Sequence, residues 1–383
     1  MLNTVQNFQA PNKNLGFARN IILIVLLVGI FGGIGLFLYS KSRGNSSFLN
    51  PRAGSGDSND PNAGKVEAKL TGVLYSKEDA EKFNKIRPLA VMVNNHVDAR
   101  PQSGLQDADL VYEIVAEGGI TRFLAFFNTK IPEKIGPVRS TREYYLVLVR
   151  ELGDAMLMHI GWSPQALVAI ESWPVKSLGR GNAPFWRDQG RIDAGVAYEH
   201  TAYTNGKELI KKGEELGWQG TNEDFVSYKF KADSPVKPAD TVDKASKITV
   251  DFWYPGDYSA YWEYDATANA YSRFMGYDAS DKPIIHADGD TGKQIKVKNL
   301  IVQTAKEISI PGDDKNRLDY ELVGSGEALV FIDGKVYKVT WSKESRDART
   351  LFYTLDGEEI KFNRGNFWIS IVPDRNTEQV VYE

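Results

Sequence analysis

Cysteine is absent from all 383 residues, histidine occurs four times and methionine five times. Without a thiol the chain can form no disulfide and carry no cysteine-linked lipid, an absence that suits an envelope and a cytosolic location alike. No nucleophile elbow, Walker loop, zinc-protease helix or dinucleotide fingerprint occurs, so none of those chemistries is supported and no cofactor is expected. A basic balance is missing too. The formal net charge is −4, and residues 1–43 carry four basic residues and no acid, which leaves about −8 on the remainder. A body of that sign lacks the electrostatic footprint of a nucleic-acid binder. Anionic envelope polymers would be repelled on average unless a local arginine cluster overcomes this.

What is present is an ordinary globular composition, 42% hydrophobic and 25% charged, in a chain long enough for about two domains. Ile21 to Tyr39 is a charge-free apolar run long enough to span a bilayer as a helix. It is read as an uncleaved signal anchor over 21–40 behind a short cytoplasmic tail, 1–20, with a cleaved signal peptide as the alternative. Lys13 and Arg19 before the run nearly balance Lys41 and Arg43 after it. The short tail and large body favour a single-pass protein with the body outside. Residues 41–64, rich in Gly, Ser, Asn and Pro, read as a flexible tether.

The expected fold is a mixed α/β domain over 65–235 followed by a β-rich antiparallel domain over 236–383. Pro88–Asn94, Asp109–Ala116 and Thr121–Asn128 suit buried strands, and Gly118-Gly119 permits a turn between the last two. Helices are expected over Thr141–Leu152, from an N-cap at Ser163 with Pro164 to Ser172, and over Asn205–Leu216. After Phe230 aromatic and β-branched runs dominate, with hairpin turns at Asp333-Gly334 and Asp356-Gly357.

The stretch from Asp107 to Phe127, DADLVYEIVAEGGITRFLAFF, sets Glu113 and Glu117 into an apolar run. Burying a carboxylate costs several kcal/mol unless it is paired, so these acids line a cleft or hold a neighbour. On a strand, residues four apart lie about 13 Å from each other, whereas paired-acid glycosidases need carboxyls roughly 5 to 9.5 Å apart. A two-acid hydrolase is therefore disfavoured. A single acid with a pKa raised by apolar surroundings would fit lytic glycan cleavage. Arg139 and Arg142 stand three apart near an expected helix start, where dipole and guanidinium together favour an anion. Arg122 completes the basic set, and the structural alternative is that these arginines neutralise Glu113, Glu117 and Asp109. Asn94, Asn95, His159 and Arg187 are further candidate ligand-binding residues. His159 and His200, without a third clustered ligand in sequence, make no metal site.

The runs RPLAVMVNNHVDARPQSGLQDADLVYEIVAEGGITRFLAFF and IGPVRSTREYY resemble the bacterial DUF3048 family, and NLIVQ, GSGEALVFIDGKVYKVTW and GNFWISIVP resemble its second domain. Together they cover most of Lys65 to Asp374. The resemblance implies a membrane-tethered extracytoplasmic protein with an α/β domain and then a β-rich one, linked to cell-wall metabolism. This chain departs from the family in lacking the lipobox cysteine and in reading AYEHTAYT around His200 instead of a Pro-His-Asn run. Three functions follow as expectations. The first is a non-catalytic envelope protein that binds a peptidoglycan fragment or a wall-synthesis protein through a Glu/Arg-lined cleft. The second is a lytic-transglycosylase-type enzyme using Glu113 or Glu117 as acid/base, and the third a sensor of a small anionic solute.

Overall fold

The computed structural model describes residues 62–383 apart from 182, 219, 221–224 and 235–243. The Ile21 to Tyr39 run and nearly all of the 41–64 tether lie outside the described residues, among which no helix is long and apolar enough to cross a membrane.

Leu89–Asn94 (β1), Leu110–Val115 (β2) and Thr121–Phe127 (β3) are buried at every position. Their apolar residues run continuously instead of alternating, as strands covered on both faces require. β2 and β3 form an antiparallel hairpin, and the chain turns through Gly118 and Gly119 at φ of +61° and +75°. Side chains rarely adopt that left-handed region, so glycine suits both positions. β1 pairs antiparallel with β3 and parallel with Met156–Met158 (β4), which in turn pairs parallel with Lys176–Ser177 (β5). Three of the helices that accompany these strands frame the site. Glu143–Glu151 (α1) starts at Arg142, while Pro164–Ser172 (α2) is capped by Ser163, whose Oγ accepts from the Ala166 N–H at 3.1 Å. Gly206–Glu215 (α3) is capped by Asn205.

The second half is nearly all strand. Lys247–Val250 (β6), Ala260–Asp265 (β7), Ala270–Tyr277 (β8), Pro283–Ile285 (β9) and Val380–Tyr382 (β15) form a sheet in the order β9-β8-β7-β6-β15, with Lys296–Val297 added on β8. Further strands include Asn299–Ser309 (β10), Gly324–Ile332 (β11), Lys335–Lys343 (β12), Leu351–Thr354 (β13) and Phe367–Pro373 (β14). Between β11 and β12 the turn residues Asp333 and Gly334 both have positive φ, the geometry that suits the right-handed twist of a hairpin.

These later strands do not stay apart from the earlier ones. One 11-stranded sheet runs β13-β12-β11-β10-β14-β2-β3-β1-β4-β5, with Leu318–Glu321 paired to β10. β14 lies between β10 and β2 and is parallel to both, so the expected β-rich region is present but not purely antiparallel. Its register sets Ser370 opposite Glu113 and Trp368 opposite Val111. One large hydrophobic cluster runs through both halves, from Leu70 to Val372.

Candidate functional site

Glu113 sits at the centre of that shared sheet with no exposed surface. Its Oε2 accepts from Arg273 Nη2 at 2.6 Å and from Trp368 Nε1 at 3.0 Å, and its Oε1 accepts from Thr121 Oγ1 at 2.9 Å. Arg273 Nη1 also donates to His286 Nδ1 at 2.6 Å. A guanidinium can only donate, so Nδ1 accepts and the imidazole proton resides on Nε2, which donates to Gln102 Oε1 at 3.0 Å. Gln102 Nε2 continues to Asn95 Oδ1 at 2.9 Å, and Asn95 Nδ2 reaches Thr121 Oγ1 at 2.7 Å. Six side chains thus close a ring of hydrogen bonds in which Arg273 donates to both its neighbours and Glu113 accepts from both of its own. Burial, then the charges of Arg273 and Arg100, hold His286 well below its usual pKa and keep it neutral. The Arg273 guanidinium lies 4.4 Å from the Trp368 ring centroid and 5.3 Å from that of Trp262, where cation–π attraction offsets part of its lost hydration.

This geometry bears on the single-acid expectation for Glu113. Glu113 is fully engaged and out of reach of any substrate, so a general-acid role has no support from its surroundings. Asn95 belongs to the same sealed ring and not to a ligand surface.

Glu117 behaves differently, because β2 ends at Val115 and strand periodicity no longer applies two residues later. Its carboxylate is partly exposed and is clasped by Arg142 Nε and, at 3.4 Å, by Arg122 Nη2. Burial pushes its pKa up, but the Arg142 hydrogen bond and the guanidinium charges of Arg122, Arg142 and Arg317 outweigh this and hold it below the ordinary value. Glu117 is therefore an anion at neutral pH, not a proton donor. Arg122 is itself tied down by a 2.6 Å bond to the Ser140 carbonyl. Arg142 is the residue just before α1 and makes no side-chain cap there, while Arg139 lies three residues earlier, outside the helix. The expected two-arginine helix terminus is thus split, with Arg142 serving Glu117.

Arg139 faces another set. Its guanidinium, 30% exposed, makes one ion pair at 3.7 Å with Glu199 and, among the described residues, no side-chain hydrogen bond. Burial lowers its pKa; Glu199 and Glu117 oppose that, while Arg142 and Arg187 add to it. Arg139 is accordingly the electrostatic junction between the Glu117 cluster and a second cluster at residues 185–200. In that second cluster Arg187 Nη1 donates to the Tyr198 carbonyl at 2.5 Å, and its guanidinium stacks 4.0 Å from the Tyr198 ring centroid. Glu199 is followed by buried His200, whose Nδ1 is 2.7 Å from Asn94 Nδ2. Asn94 Oδ1 accepts from the His96 N–H at 3.1 Å, which fixes the amide so that Nδ2 donates to His200. The His96 and His200 rings stack with centroids 4.5 Å apart. His96, Asp98 and His200 bring one ligand atom each within 4.8 Å of one another. Thr141 bridges Trp162, and Ile160 N–H donates to the Arg139 carbonyl. The 160–162 segment therefore runs beside Arg139 and carries the exposed Trp162 ring, while exposed Phe185 and Tyr198 flank Arg187.

Of the residues expected from sequence, Asn94, Glu117, Arg122, Arg139, Arg142 and Arg187 gather on this face. His159 does not. It is fully buried, donates from Nδ1 to the Gly161 carbonyl at 2.8 Å and accepts at Nε2 from Ser177 Oγ at 2.8 Å. Burial drags its pKa down to about 4. Its role is to pin the end of β4 to the following turn. Sequence reasoning missed His96, Asp98 and Glu199 on the face, and Gln102, Arg273 and His286 in the ring. The Asn94-Asn95-His96 run was a visible signal for the first group, while nothing local marks Arg273.

Residues 70–219 match the family model described as protein of unknown function (DUF3048) N-terminal domain, and residues 248–369 match the DUF3048 C-terminal domain. A Bacillus subtilis (strain 168) protein named "Putative lipoprotein YerB" is 33% identical over 322 residues, covering 83% of this chain and 89% of that protein. The crystal structure of YerB protein from Bacillus subtilis matches with a TM-score of 0.69 at 32% identity, over 83% of this chain and 100% of that one. With both domain models matched in order and a relative aligned along most of its length, the chain belongs to the DUF3048 family.

Proposed function

We propose that this protein is a membrane-tethered, extracytoplasmic envelope protein that binds a peptidoglycan fragment, without cleaving it, on the face centred on Arg139. The apolar run Ile21 to Tyr39 supports the tether, and so does a relative named as a lipoprotein. One observation carries the ligand reading. Arg139 is a half-buried guanidinium with donors to spare, set between the Glu117 ion pairs and the Arg187–Tyr198 stack. Its fork matches a carboxylate such as those of wall stem peptides. The Trp162, Phe185 and Tyr198 rings beside it offer flat apolar surfaces for sugar faces. Arg139 and Arg187 supply the local positive charge that an otherwise acidic body needs.

Lytic cleavage would require a protonated acid at neutral pH. Glu117 is held ionised and Glu113 is sealed, so binding without turnover is the better supported reading. Titration of the detergent-solubilised full chain with purified muropeptides, in the presence of a chelator, tests it. Arg139→Ala should weaken binding at least tenfold, as expected for a lost charge-assisted contact of about 1.5–3 kcal/mol. Equal affinity in this variant would overturn the site, and release of anhydro-muropeptides by the wild type would overturn the non-catalytic reading.

A further inference from the structure

Two of the four histidines in the chain meet at one point on this surface. We propose that His96, Asp98 and His200 form a binding site for a divalent transition-metal ion of the zinc class. The three side chains come from two turns about a hundred residues apart, Val97–Ala99 with its cap His96 and Tyr198–His200. Their ligand atoms nonetheless all lie within 4.8 Å of one another.

Two imidazoles and a carboxylate are the donor set that suits zinc, nickel or iron, whereas magnesium and calcium favour all-oxygen shells. Tetrahedral bonds of about 2.1 Å place donor atoms roughly 3.4 Å apart. Closing from the observed spacing thus takes side-chain shifts of about 1 Å. A metal on His200 Nε2 moves the ring proton to Nδ1, where the Asn94 amide must turn to accept it with Oδ1. The side chains of His96 and Asp98 are 31% and 62% exposed, and His96 gives up only the Asp98 N–H that its Nδ1 accepts at 3.2 Å. Asp98 supplies one negative charge to the ion and neighbouring Glu199 a second, against which Arg139 counts. Three protein ligands leave at least one position open for water or for an oxygen of a bound molecule. The other two histidines do not compete, because both nitrogens of His159 and of His286 are engaged in buried hydrogen bonds.

Calorimetry on the untagged full chain in detergent, with ZnCl2, NiCl2 and MgCl2 as separate titrants at pH 7.5, tests the site. One zinc per chain should bind at micromolar or lower concentration, nickel should also bind, and magnesium should give no stoichiometric heat. His96→Ala should weaken zinc at least thirtyfold and Asp98→Asn about tenfold. Neither change touches the hydrophobic core, and His200→Ala should abolish binding; His96→Ala and His200→Ala are checked for folding by circular dichroism. Absence of stoichiometric zinc binding by the wild type would overturn the proposal, as would equal affinity in His96→Ala and Asp98→Asn. Zinc is titrated here without wall fragments, and fragments are titrated above with chelator, so failure of one reading is distinguishable from failure of the other.

Discussion

Glu113→Gln separates a structural acid from a catalytic one. The substitution keeps shape and volume, and its amide oxygen can still accept from Arg273 and Trp368 on the Oε2 side. Its NH2 would then face Thr121 Oγ1, which already accepts from Asn95 and has a second lone pair to offer. The hydrogen-bond ring survives with one direction reversed. What disappears is the counter-charge of Arg273, a guanidinium with no exposed surface. Breaking a buried pair from one side costs about 3–5 kcal/mol, because the orphaned charge stays buried.

At about 2 °C per kcal/mol for a chain of this size, the melting temperature should fall by roughly 6–10 °C. Arg273→Met should cost a similar amount by stranding the Glu113 anion. The double variant buries no charge, so its loss should be well below the sum of the two single losses, and the cycle isolates the coupling. Denaturant midpoints at pH 7.5 for the four proteins provide the measurement. A Glu113→Gln protein within about 1 kcal/mol of wild type, or strictly additive losses, would refute the lock. Unchanged stability with loss of a wall-cleaving activity would restore the catalytic reading.

Two further expectations concern the frame around the face. His159 is held down at about 4 by burial, so between pH 6.5 and 4 the unfolded chain binds a proton that the native chain does not. Stability should therefore fall by about 3 kcal/mol as pH drops through that window and level off below it. His159→Gln should remove this slope, and parallel midpoint-versus-pH profiles for the two proteins would refute the assignment. Ser163→Ala removes the Oγ that accepts from the Ala166 N–H at the start of α2. It should cost about 1 kcal/mol in denaturant unfolding while Ser163→Thr costs less, and equal losses in both would point to packing instead of capping.

Local signals were legible in the sequence and distant partners were not. β1, β2 and β3 follow from continuous apolar runs, α2 from Ser163-Pro164, and the β11–β12 hairpin from Asp333-Gly334, each decided within a few residues. The strand distance between Glu113 and Glu117 assumed that one element carries both, but β2 ends at Val115 and the second acid stands at the start of a glycine turn. The counter-charge of Glu113 is 160 residues away in sequence, and no pattern near either residue encodes the pairing. The same holds for His200, whose neighbour His96 arrives from the end of a different strand.

Asn94 and Asn95 show how the two polar systems are joined. Asn94 is the last residue of β1 and Asn95 follows it, and their side chains join different networks. Asn95 enters the sealed ring, and Asn94 turns outward to hold His200 and receive the His96 N–H. The ring's charge partner and its imidazole, Arg273 and His286, both come from the region matched by the C-terminal family model. β14, from the same region, covers the edge of β2. A chain cut at residue 235 would expose that edge and leave Glu113 buried without its arginine. The second region thus supplies the floor on which Asn94 is held, and its Arg317 adds a charge that lowers the pKa of Glu117, which are physical reasons for the two parts to occur as one chain.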